Sequence, residues 1–123
     1  MKTKMQKGEY DCGVACVAML ADVSYRKARK AIFPNGKKPG KTKTGQLRDA
    51  LKKLGLNPSE RKRQPFKSIK LADLTTNALI FATRHSGGKK HCHWMVWDLK
   101  AQKLRDPYRP KLSYDCRSYL TVE

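Results

Sequence analysis

The sequence predicts an α+β fold, with N-terminal helices packed on a C-terminal antiparallel sheet. Three observations carry this prediction. Residues 11–54 place apolar side chains at helical spacing, with Ser24 and Gly55 where helix ends favour them. From Asn77 onward the period changes to short aromatic and β-branched runs separated by turn residues such as Ser86-Gly87-Gly88. The helices come first and the strands follow, instead of alternating with them. A chain of 123 residues that is 39% hydrophobic can build one modest core, so residues 1–123 are read as a single domain.

Residues 1–10 are expected to be extended and to carry Gln6. The first helix is predicted over residues 11–21, with Asp11 as its N-cap and an apolar, Ala-rich body that belongs in the core. Asp22 and Val23 break it, and Ser24 caps a second helix over 25–33, with Tyr25, Ala28 and Ile32 on one stripe. Residues 34–43, Pro-, Gly- and Lys-rich, form a basic loop without the GxxxxGK[ST] spacing of a phosphate-binding loop. A third helix follows over 46–54, with Leu47, Ala50, Leu51 and Leu54 at helical spacing and Gly55 as the residue after its cap. Residues 56–65 are a strand or extended link, and Ser68 is expected to cap a short helix over 69–74. Strands are then predicted over 77–83, 91–99, 103–106 and 112–122, with turns over 84–90 and 98–102.

Composition narrows the functional classes. No apolar run reaches the length of a membrane span, and no signal-peptide-like apolar segment follows the charged residues 1–7, so a cytoplasmic protein is expected. Twenty-eight Lys and Arg against ten acids give a net charge of +18, which points to an anionic partner, nucleic acid or an acidic protein. Of the four cysteines, at 12, 16, 92 and 116, the first two lie one helical turn apart, poor geometry for a mutual disulfide. Cys16 and Cys92 are read as buried small hydrophobes.

Cys12 is different. It opens a buried helix, where unpaired N–H groups and the helix dipole favour a thiolate. A Gln lies six residues before it. His93 begins the strand Trp94-Met95-Val96-Trp97, and Asp106 closes the next strand, so an antiparallel pair brings their neighbourhoods together. A thiol nucleophile needs an imidazole to exchange protons with it and an acceptor to fix the imidazole tautomer. The chain order Cys, His, Asp supplies both.

These residues carry a resemblance. Gln6, Asp11-Cys12-Gly13-Val14-Ala15-Cys16, His93-Trp94-Met95-Val96 and Asp106-Pro107 resemble the pattern of the papain-like cysteine peptidases that process bacteriocins with double-glycine leaders. Leu51-Lys52-Lys53-Leu54-Gly55-Leu56 is similar to that family's middle helix. The similarity spans residues 5–110. It implies a papain-like fold with Cys12 as nucleophile, His93 as general base and acid, and Asp106 as the acceptor that orients it. Gln6 would add its side-chain amide to an oxyanion hole beside the Cys12 N–H. His91 is the fallback for His93. The implied reaction is hydrolysis of a peptide or other acyl bond through a thioester, on a peptide or protein substrate and without a cofactor or metal.

Two other readings compete. Cys12, Cys16, Cys92, His91 and His93 offer soft ligands for zinc, although adjacent strand residues point to opposite faces. A catalytically silent papain-like module, docking on nucleic acid or an acidic protein through Arg61-Lys62-Arg63 and the basic loop, is the alternative that the charge supports.

Overall fold

The computed structural model describes residues 1–36 and 40–123; Lys37, Lys38 and Pro39 of the basic loop lie outside the described residues. Three α-helices come first: α1 (Cys12–Ala21), α2 (Tyr25–Ile32) and α3 (Thr44–Lys53). The strands follow: β1 (Gln64–Pro65), β2 (Asn77–Ser86), β3 (Lys89–Asp98), β4 (Lys103–Arg105) and β5 (Asp115–Val122). They form one five-stranded antiparallel sheet in the order β1-β5-β2-β3-β4. The fold is therefore α+β.

Local chemistry explains most of the boundaries. The Ser24 hydroxyl accepts the Lys27 N–H at 3.1 Å and starts α2 as expected. α3 begins two residues earlier than its apolar pattern, because Gln46 Oε1 accepts the Lys43 N–H at 2.8 Å and so stabilises an extra half-turn. Its far end closes with Gly55 N–H to the Lys52 carbonyl and Leu56 N–H to the Leu51 carbonyl, both at 3.0 Å.

Strands β2 and β3 run well into the stretch expected to be a turn. Only Gly87 and Gly88 remain at the tip, with φ of 59° and 73°. Two consecutive positive-φ residues give the tight hairpin turn whose twist matches that of the strands, so the ladder continues to Ser86 and Lys89. The short helix expected over 69–74 is a single 3-10 turn, Leu71–Asp73. The Asp73 carboxylate, not Ser68, holds its start by accepting the Lys70 N–H at 2.8 Å. The last strand begins at Asp115, three residues later than expected. β1 sits at the sheet edge, the position that tolerates Pro65.

The sheet is covered on both faces. On one, Leu79, Trp94, Val96, Leu120 and Val122 pack against the buried sides of all three helices. α1 contributes Val14, Cys16, Val17, Ala18 and Met19 to that core, each 2% exposed or less, so the helix expected to be apolar nearly all round is indeed central. On the other face, Ala78, Ile80, Ala82, Met95 and Trp97 are covered by Leu74 and by Phe66, Ile69, Leu71 and Tyr114 from connecting segments. Ile69, Leu71 and Leu74 point inward as the sequence predicts, while Phe66 and Tyr114 join from segments without a period.

One close approach fixes the start of α1. A Cβ added to Gly13 would collide with Thr42 Oγ1 and sit 3.0 Å from Leu47 Cδ2. The segment before α3 thus lies directly on the residue after Cys12. Gly13→Ala is expected to cost about 1–3 kcal/mol in a urea melt, as overpacking does. A Thr42→Ala background, which removes the colliding oxygen, is expected to recover most of that loss. A melt unchanged by Gly13→Ala alone would show that the two segments are not held together.

Candidate active site

Asp11 precedes α1 but does not cap it with its side chain. Its carboxylate turns backward, accepting the N–H groups of Lys7 at 2.7 Å and Gly8 at 2.8 Å and the Tyr25 hydroxyl at 2.6 Å. Burial pushes this carboxyl up, but those three donors outweigh it and leave it below its ordinary value. The side chain expected as a cap is instead a clasp that folds residues 6–8 onto the helix start and ties them to α2. The first backbone bond of α1 is Ala15 N–H to the Asp11 carbonyl, at 3.3 Å. The N–H groups of Cys12 and Gly13 therefore have no partner within the helix and face outward at its positive end.

Cys12 sits at this helix start, buried to 8% exposure, on the wall of a cleft of about 520 Å³. His93 comes to the same cleft from β3. β4 pairs with β3 only from Val96 to Asp98, so His93 lies beyond the reach of that edge strand. Its ring is 4% exposed. Nε2 meets Asp106 Oδ1 at 2.6 Å, which leaves Nδ1 as the ring nitrogen free to serve Cys12 on the same cleft. Burial alone would lower the imidazolium pKa. The Asp106 bond, then the Cys12 bond and both partners' charges, outweigh it and raise the pKa to about 9 from an ordinary 6.5.

Asp106 closes β4 and opens an Asp-Pro turn, and its carboxylate serves both needs. Oδ1 accepts the Tyr108 N–H at 2.9 Å, which shapes the turn, and the same oxygen receives His93. His91 shares the pleat face of His93 and also lines the cleft, but no acid partner joins it among the described residues. Of the two histidines, the structure therefore brings His93 to the sulfur and the carboxylate.

Gln6 lines the cleft as well. Its Nε2 donates to the Gly8 carbonyl at 2.7 Å, which uses one of two amide hydrogens and leaves the other for a ligand. Its Oε1 is buried without a partner. The Gln6 backbone N–H donates to the Pro107 carbonyl at 2.9 Å, so the segment carrying this amide is fastened to the Asp106 turn.

The remaining cysteines divide. All four are free thiols. Cys16 is fully buried one turn below Cys12, and burial first, then the charges of Cys12 and Asp106, push its thiol well above the ordinary value. Cys92 corrects the expectation of a buried hydrophobe: it is exposed, because it stands on the pleat face opposite His93 near the hairpin end of β3. Among the described residues no group of three or more His, Cys, Asp or Glu is placed to hold a metal ion.

No family model matches the chain, and no curated protein does.

The arrangement is thus to be read from its own chemistry. A sulfur at a helix N-terminus, an imidazole on it and a carboxylate behind the imidazole provide a nucleophile and a proton carrier of fixed orientation. Sequence spacing alone missed the residues around this trio. Tyr114 stacks on the His93 ring at 4.7 Å between centroids, and Tyr108 meets it edge-on at 6.1 Å. Together they screen the His93–Asp106 bond from water. Tyr108, two residues past Asp106, was within reach of a local reading. Tyr114 was not, because only the packing of the segment before β5 brings it there.

Proposed function

We propose that the chain is a papain-like cysteine hydrolase that cleaves a peptide or other acyl bond. The observation that carries this reading is that Cys12 and His93 line one cleft while the Asp106 carboxylate holds the far nitrogen of the His93 ring at 2.6 Å. The arrangement supports the papain-like assignment: the sulfur stands at a helix N-terminus, the imidazole on a strand of the sheet, and both line one cleft.

The mechanism follows from the positions of the groups. The Cys12 sulfur, its proton held by His93, attacks the acyl carbon. The carbonyl oxygen gains negative charge and meets the Cys12 N–H and the free hydrogen of Gln6 Nε2. His93 gives its proton to the leaving nitrogen, the C–N bond breaks, and a thioester remains on Cys12. Water then attacks the thioester, His93 takes a proton from it, and the acid departs as the sulfur is released. The same steps serve transfer when an amine replaces the water. Asp106, bonded to Nε2, keeps Nδ1 of His93 toward the sulfur.

Among the described residues no helix is long and apolar enough to cross a membrane. A catalytic thiol stays reduced in the cytoplasm, the compartment we assign to the protein.

The test compares two cysteines in one sample. Iodoacetamide labelling, resolved by peptide mass, is expected to modify buried Cys12 about tenfold or more faster than exposed Cys92 near neutral pH. His93→Gln is expected to remove that lead. If Cys92 labels first and His93→Gln changes nothing, accessibility alone decides the rates and the hydrolase reading fails.

A further inference from the structure

We propose that the cleft selects acyl substrates bearing a carboxylate beside the scissile bond, an acidic peptide segment, and that Arg84 receives that carboxylate. The inference rests on the hydrolase reading above and names its substrate class.

The charges that line the cleft are unequal. Lys41, Arg84 and Lys90 stand on its walls with His91, against Glu9 alone. The acids that form ion pairs among the described residues are already engaged: Glu60 with Lys52, Asp98 with Arg105 and Asp115 with Arg117 away from the cleft, and Asp106 with His93 at it. Among the described residues Lys41 meets the Tyr10 ring, 5.5 Å from its centroid, and forms no ion pair. The cleft is therefore a cationic cavity beside a nucleophile, where low-dielectric walls strengthen attraction for an anion.

Arg84 is the cation best placed to use it. It lies on β2 opposite His91 of β3. Its guanidinium is 5.7 Å from the centre of the Tyr114 ring, the same ring that stacks on His93 at 4.7 Å. The guanidinium and the imidazole thus share one aromatic neighbour. Its Nε is buried and has no hydrogen-bond acceptor. A buried donor without a partner is costly, and such a group in a cleft marks where an acceptor belongs. The guanidinium fork matches a carboxylate in two parallel bonds, which the point charge of Lys41 or Lys90 cannot do. A thiol that attacks acyl carbon needs an acyl substrate, so the anion expected is a carboxylate on a peptide and not a phosphodiester.

The test uses two alkylating probes that differ in charge. In both, the Cys12 sulfur displaces iodide from the methylene carbon, forming a thioether and releasing iodide. The rate ratio of iodoacetate to iodoacetamide at Cys12, resolved by peptide mass, is expected to fall about five- to tenfold in Arg84→Gln. The iodoacetamide rate should stay within about twofold, and Arg84→Lys, which keeps the charge but loses the fork, should restore only part of the ratio. In the unaltered protein, N-acetylglutamate α-amide should protect Cys12 from iodoacetamide better than N-acetylglutamine α-amide. A ratio indifferent to Arg84→Gln, equal protection by the two amides, or stronger protection by an oligothymidylate overturns the proposal. A Cys12 that reacts quickly but is blind to probe charge removes this inference alone. A Cys12 no faster than Cys92 removes the hydrolase reading, and this one with it.

Discussion

Replacing Cys12 with alanine is expected to lower turnover of an acyl substrate by roughly ten-thousand-fold or more and to leave the fold in place. The size follows from the role: without the sulfur no thioester forms, and the oxyanion donors and the cleft are all that remain. The fold should survive because the change removes a single atom from the rim of the core, where Cys12 retains 8% exposure. p-Nitrophenyl acetate gives a direct readout. The unaltered chain should release a burst of one nitrophenolate per molecule and carry an acetyl group on Cys12 by mass, and Cys12→Ala should do neither. Adding His93→Ala to Cys12→Ala should cost nothing further, since the two act as a unit. A burst that persists in Cys12→Ala would place the chemistry elsewhere, with exposed Cys92 the first place to look.

Raising the pH from 6 to 9.5 is expected to remove stabilisation on the order of 3 kcal/mol that His93 supplies. The sign follows from the two states. Unfolded, the imidazole titrates near its ordinary 6.5; folded, it holds its proton to about 9. Below 6.5 both states are protonated and the contribution is complete. Between the two values only the folded state keeps the proton, so stability falls as pH rises, and the contribution is gone above about 9. Cys16 adds a loss of the same sign at the upper end, because its buried thiol is also held above its ordinary value. The comparison is therefore between the native chain and His93→Gln, by urea melts across this range. The variant should lose most of the slope between pH 6.5 and 8. Parallel curves for the two proteins would mean that the His93–Asp106 bond does not hold the proton in solution.

What could be read from the sequence was what local chemistry decides. Ser24 before a helical stripe, Gly55 after one and paired glycines between branched runs each have one dominant structural use, and each is used that way. Asp11 stands at the N-cap as expected, but its side chain does not cap, because an Asp before an apolar helix has two competing uses. The choice between capping and clasping depends on where Tyr25 and the Lys7–Gly8 backbone lie. Cys92 was misread because an apolar run gives no sign of where a long hairpin leaves the cover of the core. Within the candidate site, Cys12 and Asp106 were legible because each sits at an element end, and His93 because an aromatic and apolar strand segment follows it directly. Arg84 and Tyr114 were not. Arg84 owes its place to the β2–β3 register and Tyr114 to the run-in to β5, both tertiary properties invisible to spacing along the chain.

The Asp11 carboxylate also sets a length. It grips Lys7 and Gly8 from the residue next to Cys12, so the amide of Gln6 and the sulfur are separated by a counted number of peptide units. Deleting Glu9 would draw the backbone in by up to about 3.8 Å, whereas a donor that polarises a carbonyl works within a few tenths of an ångström. The loop is a ruler: how many residues it holds is fixed even where their identity is not.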